Sequence, residues 1–165
     1  MELRKSVDIR RVAIVMAFLM VLTYLGIGFS TSPAEATKYE ISTEITIPAI
    51  NLESDVTALK LRDGKLDTPD TIVGSFSRAN NKIFLVGHAT TVFRDLKNLK
   101  MEDEIIYDYT TYIVQNIEVL EKAEISMNGL LKEAEVDTLV IMTCFGEMLP
   151  GGDATHRLII TAVAR

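Results

Sequence analysis

The sequence predicts an all-β domain closed into a barrel of seven or eight short strands, with one or two short helices, behind one N-terminal membrane-spanning helix. Three observations predict it. From residue 39 onward the apolar residues fall in short groups rich in Ile, Val, Thr and Tyr, the composition of half-buried strands. Turn signals such as Asp63-Gly64, Asn80-Asn81 and Pro150-Gly151-Gly152 separate these groups. The intervals leave no room for crossover helices, which favours a closed barrel over a parallel α/β sheet.

The chain has 165 residues, enough for one domain of roughly 130 residues after its apolar N-terminal part. Residues 12–29 form an 18-residue run without a charge, about 27 Å as a helix and close to the ~30 Å hydrocarbon core. Arg4, Lys5, Arg10 and Arg11 precede it, while Lys38 is the only base close on the other side. That asymmetry places residues 1–11 in the cytoplasm and the folded domain outside the cell. Ala34-Glu35-Ala36 resembles a signal-peptidase site, but the apolar run exceeds the roughly 7 to 15 residues of a signal core. A retained anchor is therefore the expectation. Residues 30–38, small and polar around Pro33, suit a stalk. The domain spans 39–165.

Net charge is -6, from 17 basic and 23 acidic residues; setting aside the four N-terminal bases, Glu2 and Asp8 leaves 13 against 21. So acidic a domain lacks the continuous basic surface that nucleic-acid phosphates require. Within the domain, Ile45 and Ile47, ended by Pro48, make a first strand. Residues 56–61 and 65–67 flank Asp63-Gly64 as a hairpin. Residues 83–88 read as a strand buried on both faces, and Phe93, Leu96 and Leu99, three apart, as one or two helical turns. Strands follow at 104–107 and 111–119, then a short helix over 127–134. A strand over 138–144, a loop over 145–154 and a last strand over 155–163 complete the chain.

Cys144 is the only cysteine. An exported domain ordinarily uses cysteine in disulfide pairs, so this one is a buried apolar residue, an intermolecular link or a free reactive thiol. His88, Cys144 and Arg157 each stand at a strand end, and together they supply a base, a nucleophile and a fixed positive charge. Each also has a simpler reading: a turn histidine, a core cysteine and a surface cation. His156 adjoins Arg157, and neighbours on a strand point to opposite faces, so at most one of them serves a site on that sheet. A metal site from Cys144, His88, His156 and Asp153 lacks the ligand spacing of structural zinc.

The sequence resembles the sortases. Val86-Gly87-His88, followed by Phe93-Arg94-Asp95-Leu96 and by residues 99–105 (LKMEDEI), is similar to their catalytic-histidine region. Thr143-Cys144 at the end of an apolar strand, with Arg157-Leu158-Ile159-Ile160 after a loop, is similar to their cysteine and arginine strands. Residues 45–50 (ITIPAI) resemble the opening strand, so the likeness covers roughly 39–165. His88 lies 56 residues before Cys144, and Arg157 lies 13 after it. Val140 and Ile141 replace the usual Thr and Leu, and Ala89 follows the histidine where a polar residue is common.

The resemblance implies a barrel of about eight strands and a cysteine transpeptidase. It acts on LPXTG-like C-terminal sorting signals of exported proteins and joins them to an amine of the cell wall or of another protein. Cys144 is then the nucleophile, His88 the general acid and base, and Arg157 the donor to substrate backbone or oxyanion. Ala89, Thr143 and Phe145 are expected beside the substrate. No cofactor is expected, and no metal, because residues 75–82 contain no acid. With no second apolar helix after the last strand and no Asp-Pro-aromatic element in the stalk, wall anchoring is expected over pilin polymerisation. Two rival readings keep the barrel: a cysteine peptidase that mainly hydrolyses its thioester, and a membrane-tethered peptide-binding domain without catalysis.

Overall fold

The computed structural model describes residues 40–62, 65–79, 81–130, 132–150 and 153–165. The expected membrane segment, the stalk and the Asp63-Gly64 turn lie outside those residues. Among them, eight strands close a barrel in the order β1 (Ile41–Ile47), β2 (Leu52–Ala58), β5 (Val73–Ala79), β6 (Lys82–Val86), β9 (Thr138–Met148), β10 (Ala154–Ala164), β8 (Thr110–Glu121), β7 (Glu104–Tyr107), back to β1. The short strands β3 (Leu61–Arg62) and β4 (Lys65–Leu66) pair as a separate ribbon between β2 and β5. β2 with β5 and β6 with β9 are parallel pairs, and the other barrel neighbours are antiparallel. The return from β6 to β9 runs through β7 and β8 instead of a crossover helix.

Strand alternation sorts the apolar residues into two layers. Ile45, Ile47, Val56, Val73, Leu85, Ile105, Val114, Leu139, Ile141, Leu158 and Ile160 come from all eight strands and form one buried cluster, the barrel interior, joined by Phe93, Leu96 and Leu99. Their sequence neighbours Phe84, Val86, Val140 and Ile159 point the other way and form a second cluster on the outer face of β6, β9 and β10. Leu59 completes this cluster, and the partly buried Leu120, Ile125, Leu130 and Met142 pack against it. Closure removes the free edges of the sheet, and each fully buried Leu or Ile contributes roughly 1.5 to 3 kcal/mol by leaving water.

Several elements differ from the sequence reading. The helix expected over 127–134 is the single turn α1 (Met127–Leu130), and the Phe93, Leu96, Leu99 pattern becomes a 3-10 turn at Leu96–Asn98. β5 had no counterpart in that reading. β9 runs on through the expected loop to Met148. Its pairing with β10 slips between Phe145↔His156 and Met148↔Ala154, and Gly146 there has φ +83°. This is a bulge at which a glycine takes the left-handed turn. It bends the arm just beyond Cys144.

Candidate active site

The sheet's register decides which side chains meet. β6 and β9 run in parallel register as far as Val86↔Met142, and β9 and β10 pair Met142 with Ile159 and Cys144 with Arg157. Val86, Met142 and Ile159 belong to the outer-face cluster, so alternation puts Cys144 and Arg157 on that same outer face, side by side. The apolar floor made by Phe84, Val86, Val140 and Ile159 leads up to them. Cys144 is half-buried and free.

His88 leaves β6 two residues after Val86. Thr143 is buried, and its Oγ1 donates to the Gly87 carbonyl at 2.8 Å. This bond fastens the two segments together one residue before His88 and one residue before Cys144. The segment is also folded tightly on itself. The His88 carbonyl accepts from Thr91 N at 3.3 Å and Phe93 N at 3.0 Å, and a β-carbon on Gly87 would meet Val92 at 2.6 Å and Phe93 at 2.7 Å. A glycine precedes His88 because the returning chain leaves no room for more. The imidazole is 44% exposed, with Nε2 3.9 Å from Asp70 Oδ1. Asp70 is tied in turn through its carbonyl, which accepts from Thr91 Oγ1 at 2.5 Å.

Arg157 is largely sheltered, its side chain 13% exposed. Nη1 donates to the carbonyls of Ala154 at 3.0 Å and His156 at 2.9 Å, and Nη2 donates to Asp153 Oδ1 at 2.5 Å. The second oxygen of Asp153 accepts from Lys122 Nζ. Hydrogen bonds from Lys122, then Arg157, then the Ala154 amide hold the Asp153 carboxyl far below the usual carboxylate range. Neither Lys122 nor this use of Asp153 was visible in the sequence, where 31 residues separate the two and no local periodicity joins them. Asp70 beside His88 was missed for the same reason.

Of the other expected site residues, Ala89 is half-buried in the turn after His88. Phe145 is 37% exposed and pairs with His156, both on the face opposite Cys144. Thr143 also faces away from Cys144, into the barrel interior, and its hydroxyl is engaged by Gly87. His156 Nδ1 lies 2.8 Å from Thr155 Oγ1. An open cavity of about 590 Å³ includes Lys122, Leu149 and His156 and does not include Cys144. Among the described residues, no group of three or more His, Cys, Asp or Glu is placed to hold a metal ion.

A thiol and a guanidinium side by side, with a histidine two residues beyond the end of the adjoining strand, are residue types that can form, hold and transfer an acyl group. In such chemistry a thiolate can attack a carbonyl, an imidazole can move the proton, and a cation can stabilise the oxygen that becomes negative. Residues 45–165 match the sortase domain family model. Among solved structures, sortase A from Corynebacterium diphtheriae superposes with a TM-score of 0.61 at 18% identity, covering 78% of this chain and 62% of that one. Sortase C-1 from Actinomyces oris gives 0.58 at 23% identity, covering 76% and 72%. Sortase C from Clostridium perfringens SM101 gives 0.59 at 22%, covering 76% and 70%. The chain thus spans just over three fifths of the Corynebacterium protein, and these likenesses are of fold. The curated proteins contain no match.

Proposed function

Since this chain belongs to the sortase family, we propose that it is a membrane-anchored cysteine transpeptidase that cuts an LPXTG-like sorting signal of exported proteins and passes the acyl group to an amine. Support comes first from the pairing of Cys144 with Arg157 across β9 and β10, and from β6 running parallel beside β9 as far as Val86, two residues before His88. Cys144 Sγ attacks the carbonyl carbon of the signal's threonine. The tetrahedral oxyanion is met by the Arg157 guanidinium. The intermediate collapses as His88 protonates the departing amide nitrogen, which leaves a thioester on Cys144. An incoming amine then gives its proton to His88, attacks the thioester and releases the sulfur.

The acceptor is an amine of the cell wall or of another protein. The charge-free run at 12–29 with its basic flank supports a single-pass anchor with the barrel outside the cell. Among the described residues, the arm formed by the ends of β9 and β10 stands beside the nucleophile, and Met148 and Leu149 on it are 59% and 44% exposed. An apolar arm there favours transfer over hydrolysis by keeping water from the thioester. The test is to mix enzyme, signal peptide and an amine and weigh the products. Amide product that disappears with Cys144→Ala supports transpeptidation. Acid product alone makes the protein a hydrolase, and intact peptide makes it a binding module.

A further inference from the structure

We propose that Asp153, clamped by Lys122, is the positioning residue that sets the Arg157 guanidinium for substrate; the inference rests on the transpeptidase reading above. A guanidinium carries five N–H donors in a rigid plane. Three are committed: two from Nη1 to the Ala154 and His156 carbonyls and one from Nη2 to Asp153. Among the described residues that leaves Nε–H and one Nη2 hydrogen, a pair able to meet a carbonyl or an oxyanion.

The Ala154 and His156 carbonyls lie on Arg157's own strand, so they hold Nη1 close to β10. Asp153 is the only acid on the guanidinium among the described residues, and it fixes the rotation of the plane. Its own placement is determined from three sides. Ala154 N donates to Oδ1 at 2.8 Å, Lys122 Nζ binds Oδ2, and the Asp153 carbonyl accepts from Leu149 N at 2.7 Å, which closes the turn between β9 and β10. Lys122 opens the 3-10 turn Lys122–Glu124 that follows β8. The clamp therefore ties the tips of β8 and β10 to the Asp153 carboxylate and the tip of β9 to its carbonyl. Asp153 touches no reacting atom; it acts through Arg157.

The experiment is single-turnover acylation of Cys144 in the full chain, followed by intact mass across a range of LPXTG-like peptide concentrations, with thermal unfolding of each variant. Asp153→Asn is expected to slow the acylation rate constant by roughly tenfold or more, as misplacement of an orienting group does, with little change in half-saturating peptide. Lys122→Met, whose partner pair is more exposed, is expected to slow it about threefold, with Lys122→Arg restoring the rate. Because Asp153 works through Arg157, adding Asp153→Asn to Arg157→Ala should cost nothing further. A merely structural Asp153 would multiply the two losses, and that result overturns the proposal. So does an Asp153→Asn enzyme as fast as or faster than the unchanged protein, which would mark Asp153 as a competitor for the guanidinium. An unchanged protein that forms no adduct with any such peptide overturns the transpeptidase reading and this inference together, whereas normal acylation that ignores Asp153 overturns the inference alone.

Discussion

The hydroxyl of Thr143 donates to the carbonyl of Gly87 at 2.8 Å inside the barrel, so two distant segments are fastened one residue before Cys144 and one residue before His88. Cys144 and His88 thus each follow a residue held by a bond that neither of them makes. Thr143→Val keeps the shape and removes the donor, and the buried carbonyl loses its partner. The expected cost is about 1 to 3 kcal/mol by chemical denaturation, with a slower acylation rate, and Thr143→Ser should recover most of both.

Gly146 shapes the arm beyond Cys144. Its φ is +83°, and a β-carbon there would sit 2.6 Å from Thr155 Oγ1 and 2.8 Å from His156 Nδ1. Gly146→Ala is expected to cost roughly 1 to 2 kcal/mol from the left-handed conformation alone, and the crowded arm must move. If the arm shields the thioester, the ratio of acid to amide product rises in this variant. An unchanged ratio would remove the arm from the account of selectivity.

The barrel interior should respond to truncation far more than its outside. Ile160 is fully buried, whereas Val119 on β8 is 46% exposed. Ile160→Ala is expected to destabilise by about 2 to 5 kcal/mol, and Val119→Ala by no more than about 0.5 kcal/mol, both read from denaturant midpoints at constant slope.

Tyr107 and Tyr112 are buried, and desolvation raises both phenols above their ordinary value of 10.0. A phenol raised on folding leaves stability intact below its unfolded pKa, and stability is lost as pH climbs from there through the folded value. The melting temperature should therefore hold steady up to about pH 10 and fall above it. Tyr112→Phe should flatten that alkaline fall, measured by thermal unfolding across the range.

Much of the barrel could be read from residues. The apolar groups around Ile45, Leu85, Ile105, Ile141 and Ile160 are short and bounded by turn signals, as strands are, and each became a barrel strand. β5 escaped because its sequence is small and polar around Gly74, where a β-carbon would meet Leu59 at 2.5 Å. Only the folded neighbour explains that glycine. The β7–β8 turn uses Asp108 and Tyr109, both at positive φ, and an exposed tyrosine does not advertise such a turn as glycine does. At the site, the residue types came from chemistry and the grouping from family resemblance. The register that pairs Cys144 with Arg157 and aligns β9 with β6 as far as Val86 is a property of the closed sheet. The same holds for Lys122 with Asp153, which no local pattern connects.

The most direct measurement is intact mass of the protein mixed with LPXTG-like peptides at neutral pH, with the modified residue located by fragmentation. The account predicts an acyl adduct on Cys144 that forms far more slowly in His88→Ala and Arg157→Ala and is released by an added amine. A Cys144 that stays unmodified, or that acquires the adduct equally fast without His88 and Arg157, would contradict it.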